Sequence, residues 1–146
     1  MKNAFTRWIS GALFAALGLL IAIGPQTIFK PCAGLLELLP GNRFVPMKCH
    51  WSGIAEIGIG GVIAILGLLL LFFSQAQIRF GMSLAQAALG ITAVLIPTRL
   101  IGTCAAPTMR CNILMRPMLL AAGCLVITVS AVNVLLLKKG VWGKEK

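Results

Sequence analysis

The soft donor groups of this chain concentrate in two short stretches. Cys32, Met47, Cys49 and His50 occupy the first, and Cys104, Met109, Cys111 and Met115 the second. Thiolate, thioether and imidazole suit Cu(I), zinc or haem iron. Met47, Cys49, His50, Met109 and Cys111 are therefore candidates to hold a metal ion or haem. The same cysteines admit two other chemistries, structural disulfides and redox-active pairs. No C-x-x-C occurs, and Met-x-Cys is not a specific metal signature. Four cysteines allow three pairings. An internal repeat, described below, favours Cys32–Cys49 and Cys104–Cys111, each closure worth about 2–3 kcal/mol. Two structural disulfides with no cofactor are the simplest account. Cys124 sits in mid-helix and reads as a small packing residue. His50, next to Trp51, reads more simply as an interfacial side chain than as a ligand.

Glu56 is the one acid inside an apolar run, and Arg99 lies near the end of another. An intramembrane charge costs several kcal/mol unless it is paired or hydrated. Similar depth on consecutive helices makes Glu56 and Arg99 an expected ion pair. Such a pair either orders the bundle or offers a proton or ligand contact beneath the cysteines.

These residues need a frame, and composition supplies it. Of 146 residues, 59% are hydrophobic and 11% charged, against about 45–50% and about 25% in soluble domains. Mean hydropathy is +0.98. A soluble enzyme, a disordered chain and a coiled coil are excluded. Only three acids and one histidine are available for general acid–base chemistry, so an enzyme is the less favoured reading. The net charge of +10 comes from Lys and Arg placed between apolar runs and at the ends, with no nucleic-acid motif. Four runs approach the roughly 20 residues needed to span a bilayer: about Trp8–Phe29, Trp51–Phe73, Phe80–Ile101 and Pro117–Leu137. The first is too long for a signal peptide and lacks an A-x-A site, so it reads as an uncleaved helix. The expected fold is an all-α membrane protein, a four-transmembrane-helix bundle in a single domain.

The basic residues divide almost evenly between the two sides. Lys138-Lys139 after the last run and the basic amino terminus favour both termini in the cytoplasm. Cys32, Cys49, Cys104 and Cys111 then face the oxidising exterior, where clustered loop cysteines belong. Trp8 and Trp51 become interfacial anchors.

A shift of 72 residues aligns the chain with itself. Ala15-Ala16-Leu17-Gly18 recurs as Ala87-Ala88-Leu89-Gly90, Pro25 as Pro97, and Cys32-Ala33 as Cys104-Ala105. Met47-Lys48-Cys49 is echoed by Met109-Arg110-Cys111. Proline and cysteine at fixed spacing are hard to obtain by chance. Two duplicated helical hairpins are expected, about 8–73 and 80–137, related by a pseudo-two-fold axis along the membrane normal. Each proline should free a carbonyl and kink its helix toward the loop. Gly11, Ala15, Gly18 and Ala22 on the first helix, Gly53, Gly60, Ala64 and Gly67 on the second, and Ser83, Ala87 and Gly90 on the third each form a one-sided stripe that lets helices approach closely.

Met47-Lys48-Cys49-His50-Trp51, continuing through Ser52-Gly53-Ile54-Ala55-Glu56, carries a resemblance. Cys104, Pro107-Thr108-Met109-Arg110-Cys111 with Arg116-Pro117, and Gly24-Pro25-Gln26-Thr27 carry it further. Over nearly its whole length the chain resembles an uncharacterised, domain-of-unknown-function family of small four-helix bacterial membrane proteins. The resemblance implies the fold, a bacterial inner-membrane location and these marker residues, but no activity. A looser similarity is to quinone-linked disulfide-forming membrane enzymes, whose C-x-x-C exchange pair is missing here. Size and Gly-rich faces favour a small accessory or binding subunit with a Cys/Met/His-rich outer face. Its expected partners are the lipid bilayer and a larger membrane assembly such as a transporter, or another copy of itself. The alternatives are a membrane thiol–disulfide oxidoreductase and a carrier of a soft metal ion such as Cu(I), or of haem.

Overall fold

The computed structural model describes residues 2–30, 35–38, 43–46, 48–104 and 108–142. Lipid offers backbone N–H and C=O groups no partners, so long apolar runs satisfy them internally as helices. Four result: α1 (Lys2–Thr27), α2 (Lys48–Phe72), α3 (Ala76–Leu95) and α4 (Arg116–Trp142). A π-helical turn over Ile96–Leu100 prolongs α3, and a second over Cys111–Met115 leads into α4. Trp8–Thr27, Lys48–Phe72, Ala76–Leu100 and Cys111–Lys138 are long and apolar enough to cross a membrane. The chain is a multi-pass membrane protein with a four-helix bundle.

The second and fourth spans begin earlier than expected, at Lys48 and Cys111 rather than about Trp51 and Pro117. Cys49 and Cys111 consequently belong to helical turns, not to loops. Pro117 follows the Cys111–Met115 π turn, at the second residue of α4, where it lacks the N–H of a regular α-helical bond. Between α1 and α2, where only a loop was expected, β1 (Leu35–Leu38) and β2 (Arg43–Pro46) pair antiparallel, Leu35 opposite Pro46 and Leu38 opposite Arg43. Pro40-Gly41 in the intervening sequence is a turn-forming dipeptide.

Helix α1 packs chiefly on α2, and α3 on α4, as two hairpins. The expected small-residue stripes form the first contact. A Cβ added to Gly60 would lie 2.6 Å from the Gly18 carbonyl oxygen, and one added to Gly67 would lie 2.6 Å from the Ala15 nitrogen. Gly123 meets the Gly90 carbonyl and Val94 of α3, much as Gly60 meets Gly18 and Ala22 of α1. Gly90 and Val94 follow Gly18 and Ala22 by the same 72 residues that relate the repeats.

A bond between residues five apart stands beside each buried proline, at the end of α1 for Pro25 and within a π turn for Pro97. Phe29 N–H donates to Gly24 O at 2.9 Å, and Ile101 N–H to Ile96 O at 3.1 Å. Each bond skips five residues, and each acceptor directly precedes the proline, which lacks an N–H of its own. Phe14, Ile21, Ile63, Leu70, Met115, Leu119 and Val126 fill the core, while Leu19, Ile65, Phe72 and Leu135 face outward to lipid. Trp8 and Trp51 are both exposed near helix starts.

Candidate metal centre

Gly102 ends the π turn after α3. Its φ of 79° is a left-handed conformation available to glycine at little cost. Its N–H donates to Ile96 O at 3.0 Å, and its carbonyl accepts from Ser52 Oγ of α2 at 2.9 Å. This bond ties the end of α3 to the start of α2. Two residues later Cys104 is held by Asn112, whose Nδ2 donates to the Cys104 carbonyl at 2.6 Å. Asn112 Oδ1 accepts from Thr103 Oγ1 at 2.5 Å, and Asn112 N–H donates to Met109 O at 2.9 Å. Asn112 thus holds one end of the segment between Cys104 and Cys111 through its side chain and the other through its backbone.

The result is a group of three thiols from different elements. Cys49 comes from the first turn of α2, Cys104 from the segment after α3, and Cys111 from the π turn before α4. Their sulfurs all lie within 4.8 Å of one another, and the Cys104 thiol approaches Cys49 Sγ at 3.3 Å. Cys49 and Cys111 are fully buried. Cys104 is half-buried and borders an open cavity of about 550 Å³, which Thr103, Asn112 and Arg116 also line. Burial, then hydrogen bonds to Cys49 and Cys111, then their like charge, push the Cys104 thiol up to about 12.

This arrangement differs from the expected disulfides. Cys49, Cys104, Cys111 and Cys124 are thiols. Cys104 and Cys111, expected to be bonded, instead share their cluster with Cys49 of the other hairpin. The reason is depth: both hairpins bring their cysteines to the same end of the bundle, and the Ser52–Gly102 bond draws the ends together. Cys32, the expected partner of Cys49, lies outside the described residues, as does Met47. His50 is exposed, its ring edge-on to Trp51 at 6.1 Å between centroids, and it does not join the thiol group. Met109 packs partly buried against the same core as Cys49, Cys111 and Met115.

The expected Glu56–Arg99 pair does not form. Glu56 is fully buried on the same face of α2 as Cys49, Ser52 and Gly53, and neither carboxyl oxygen has a hydrogen-bond partner among the described residues. Arg99 is exposed on the π turn after α3. At about 100° per residue, Arg99 falls on the side of the helix opposite the buried Gly90, so equal depth does not give it the inward face. Sequence reasoning missed Ser52, Gly102 and Asn112. Only the place of Asn112, directly after Cys111, was a signal.

Three sulfurs around one point suit a single ion. With a metal–sulfur bond of about 2.3 Å, trigonal coordination places sulfurs about 4.0 Å apart, inside the observed span of 3.3 to 4.8 Å. A haem iron offers at most two axial positions, on opposite faces, so three converging thiols do not match it. The model of a domain of unknown function, DUF4418, matches residues 14–136. No curated protein and no solved structure matches the chain. The chain belongs to the DUF4418 family.

Proposed function

We propose that this member of the DUF4418 family holds a soft metal ion, Cu(I), on the thiolates of Cys49, Cys104 and Cys111. The convergence of three sulfurs within 4.8 Å carries the reading. Thiolates select soft Cu(I), whereas structural zinc takes four protein ligands. Binding removes three protons, because only the thiolate is a ligand. Three thiolates around a monovalent ion leave a charge of −2. Lys48 and Arg110 directly precede two of the ligands, and Arg116 lines the adjoining cavity, so cations stand close by. With both termini cytoplasmic the centre faces the exterior of a bacterial inner membrane, and the bundle serves a larger membrane assembly as its metal-holding subunit.

The 3.3 Å approach of Cys104 to Cys49 also fits a thiol–disulfide role. Against it, a thiol pushed up to about 12 is a poor nucleophile at neutral pH, and the other two sulfurs are buried. The test is anaerobic Cu(I) loading of the reduced, detergent-purified protein against a chromophoric chelator. The expected result is one Cu(I) per chain with three sulfur neighbours by X-ray absorption. Cys49→Ser, Cys104→Ser and Cys111→Ser should each weaken it, and Cys124→Ser should not. A wild-type protein that yields all its copper to a weak chelator overturns the reading. A purified protein with Cys49 and Cys104 already disulfide-linked would move the oxidoreductase reading ahead.

A further inference from the structure

At the opposite end of the bundle from the thiols, α1 and α4 leave a groove of about 410 Å³ between them. Its walls are Ile9 and Leu13 of α1 and Val129, Val132 and Leu136 of α4, with Asn133 among them. Asn133 is 4% exposed, and its Nδ2 has no hydrogen-bond partner among the described residues. A buried donor left unsatisfied costs free energy, so an unpaired amide lining an apolar groove marks a place for an acceptor.

Depth says what can reach it. The α1 span begins at Trp8 and the α4 span ends at Lys138, so the groove starts at the membrane boundary. From Thr128 to Leu136 it runs about 12 Å into the hydrocarbon at 1.5 Å per residue, the length of the upper part of an acyl chain. A carbonyl acceptor at the top of an apolar tail is the chemistry of a glycerolipid ester. Charge says which headgroup. The start of α1 and the end of α4 at this end carry Lys2, Arg7, Lys138 and Lys139, and no acid among the described residues. A cationic rim of this kind attracts anionic lipid.

We infer that the α1–α4 groove binds one anionic glycerophospholipid. An acyl chain lies along Leu13, Val129 and Val132, an ester carbonyl accepts from Asn133 Nδ2, and the phosphate rests among the basic helix ends. The site is independent of the thiol centre, about 33 Å from Asn133 along α4 at 1.5 Å per residue over the 22 residues from Cys111.

The test is native mass spectrometry of protein released from nanodiscs of mixed phosphatidylglycerol and phosphatidylcholine. One phosphatidylglycerol per chain should remain bound, in preference to phosphatidylcholine by at least fivefold. Asn133→Leu exchanges the amide for an apolar side chain of similar size, so the bundle still folds, and it should lower retention at least fivefold. Val129→Trp fills the groove and should abolish retention. Cys104→Ser should leave retention unchanged, which separates failure here from failure of the metal reading. Equal retention of the two lipids, or lipid unaffected by both groove variants, overturns the proposal. So does a co-purified quinone or a second copy of the chain in place of lipid.

Discussion

Asn112→Ala tests whether the thiol centre depends on a preorganised strand of chain. The substitution deletes two side-chain hydrogen bonds, to the Cys104 carbonyl and from the Thr103 hydroxyl. Each is worth about 1 kcal/mol net, so the segment carrying Cys104 loses about 2 kcal/mol of support. If that loss falls wholly on the loaded state, the Kd for Cu(I) rises about 30-fold, at 1.4 kcal/mol per tenfold. All three thiols remain, so the stoichiometry stays at one. Thr103→Val removes only one of the two bonds and should raise Kd about 5-fold. Added to Asn112→Ala it should do nothing further, because the asparagine it would have bonded is already gone. Chelator competition at fixed pH measures all four proteins, with far-UV circular dichroism to check that the bundle is intact. An Asn112→Ala Kd within twofold of wild type would refute the preorganisation argument. Full additivity of the two substitutions would refute the shared bond.

Two further outcomes follow from particular geometry. Gly60→Ala pushes a Cβ to 2.6 Å from Gly18 O and 2.5 Å from Ala22 N. Backbone cannot retreat as a flexible side chain would, so it should cost about 1–3 kcal/mol, while Gly58→Ala, with nothing within 4 Å, should gain about 0.5–1 kcal/mol. Detergent unfolding of the two variants should give opposite signs, and equal shifts would refute close packing at Gly60. The Cys104 thiol, raised from 9.0 to about 12, should be alkylated by iodoacetamide ever faster up to about pH 12 in the metal-free protein. Because the unfolded chain releases this proton first, the metal-free fold loses stability as pH rises from about 9 toward 12. An alkylation rate that levels off near pH 9 would show that the thiol is not buried among its neighbours.

The membrane class, four spans, the hairpin pairing and the glycine faces were legible in the sequence. Each depends on local composition and on spacing along one helix, so Gly18 and Gly60 announce a close approach without any knowledge of the fold. The two prolines at a 72-residue shift were read as kinks, and a hydrogen bond between residues five apart stands beside each of them. The thiol centre was only half legible. Residue type named Cys49, Cys104 and Cys111, but spacing along the chain grouped them by hairpin. Their meeting across hairpins depends on the Ser52–Gly102 bond and on a left-handed glycine, a contact between residues 50 apart in sequence. Glu56 and Arg99 show the opposite failure. Their depths agree, yet at about 100° per residue Arg99 falls on the face opposite Gly90, so depth without helical phase did not give a pair. Depth and face follow from the chain one helix at a time. Which faces meet, and which sulfurs share a point, was decided by how four helices and their widened turns settle against one another.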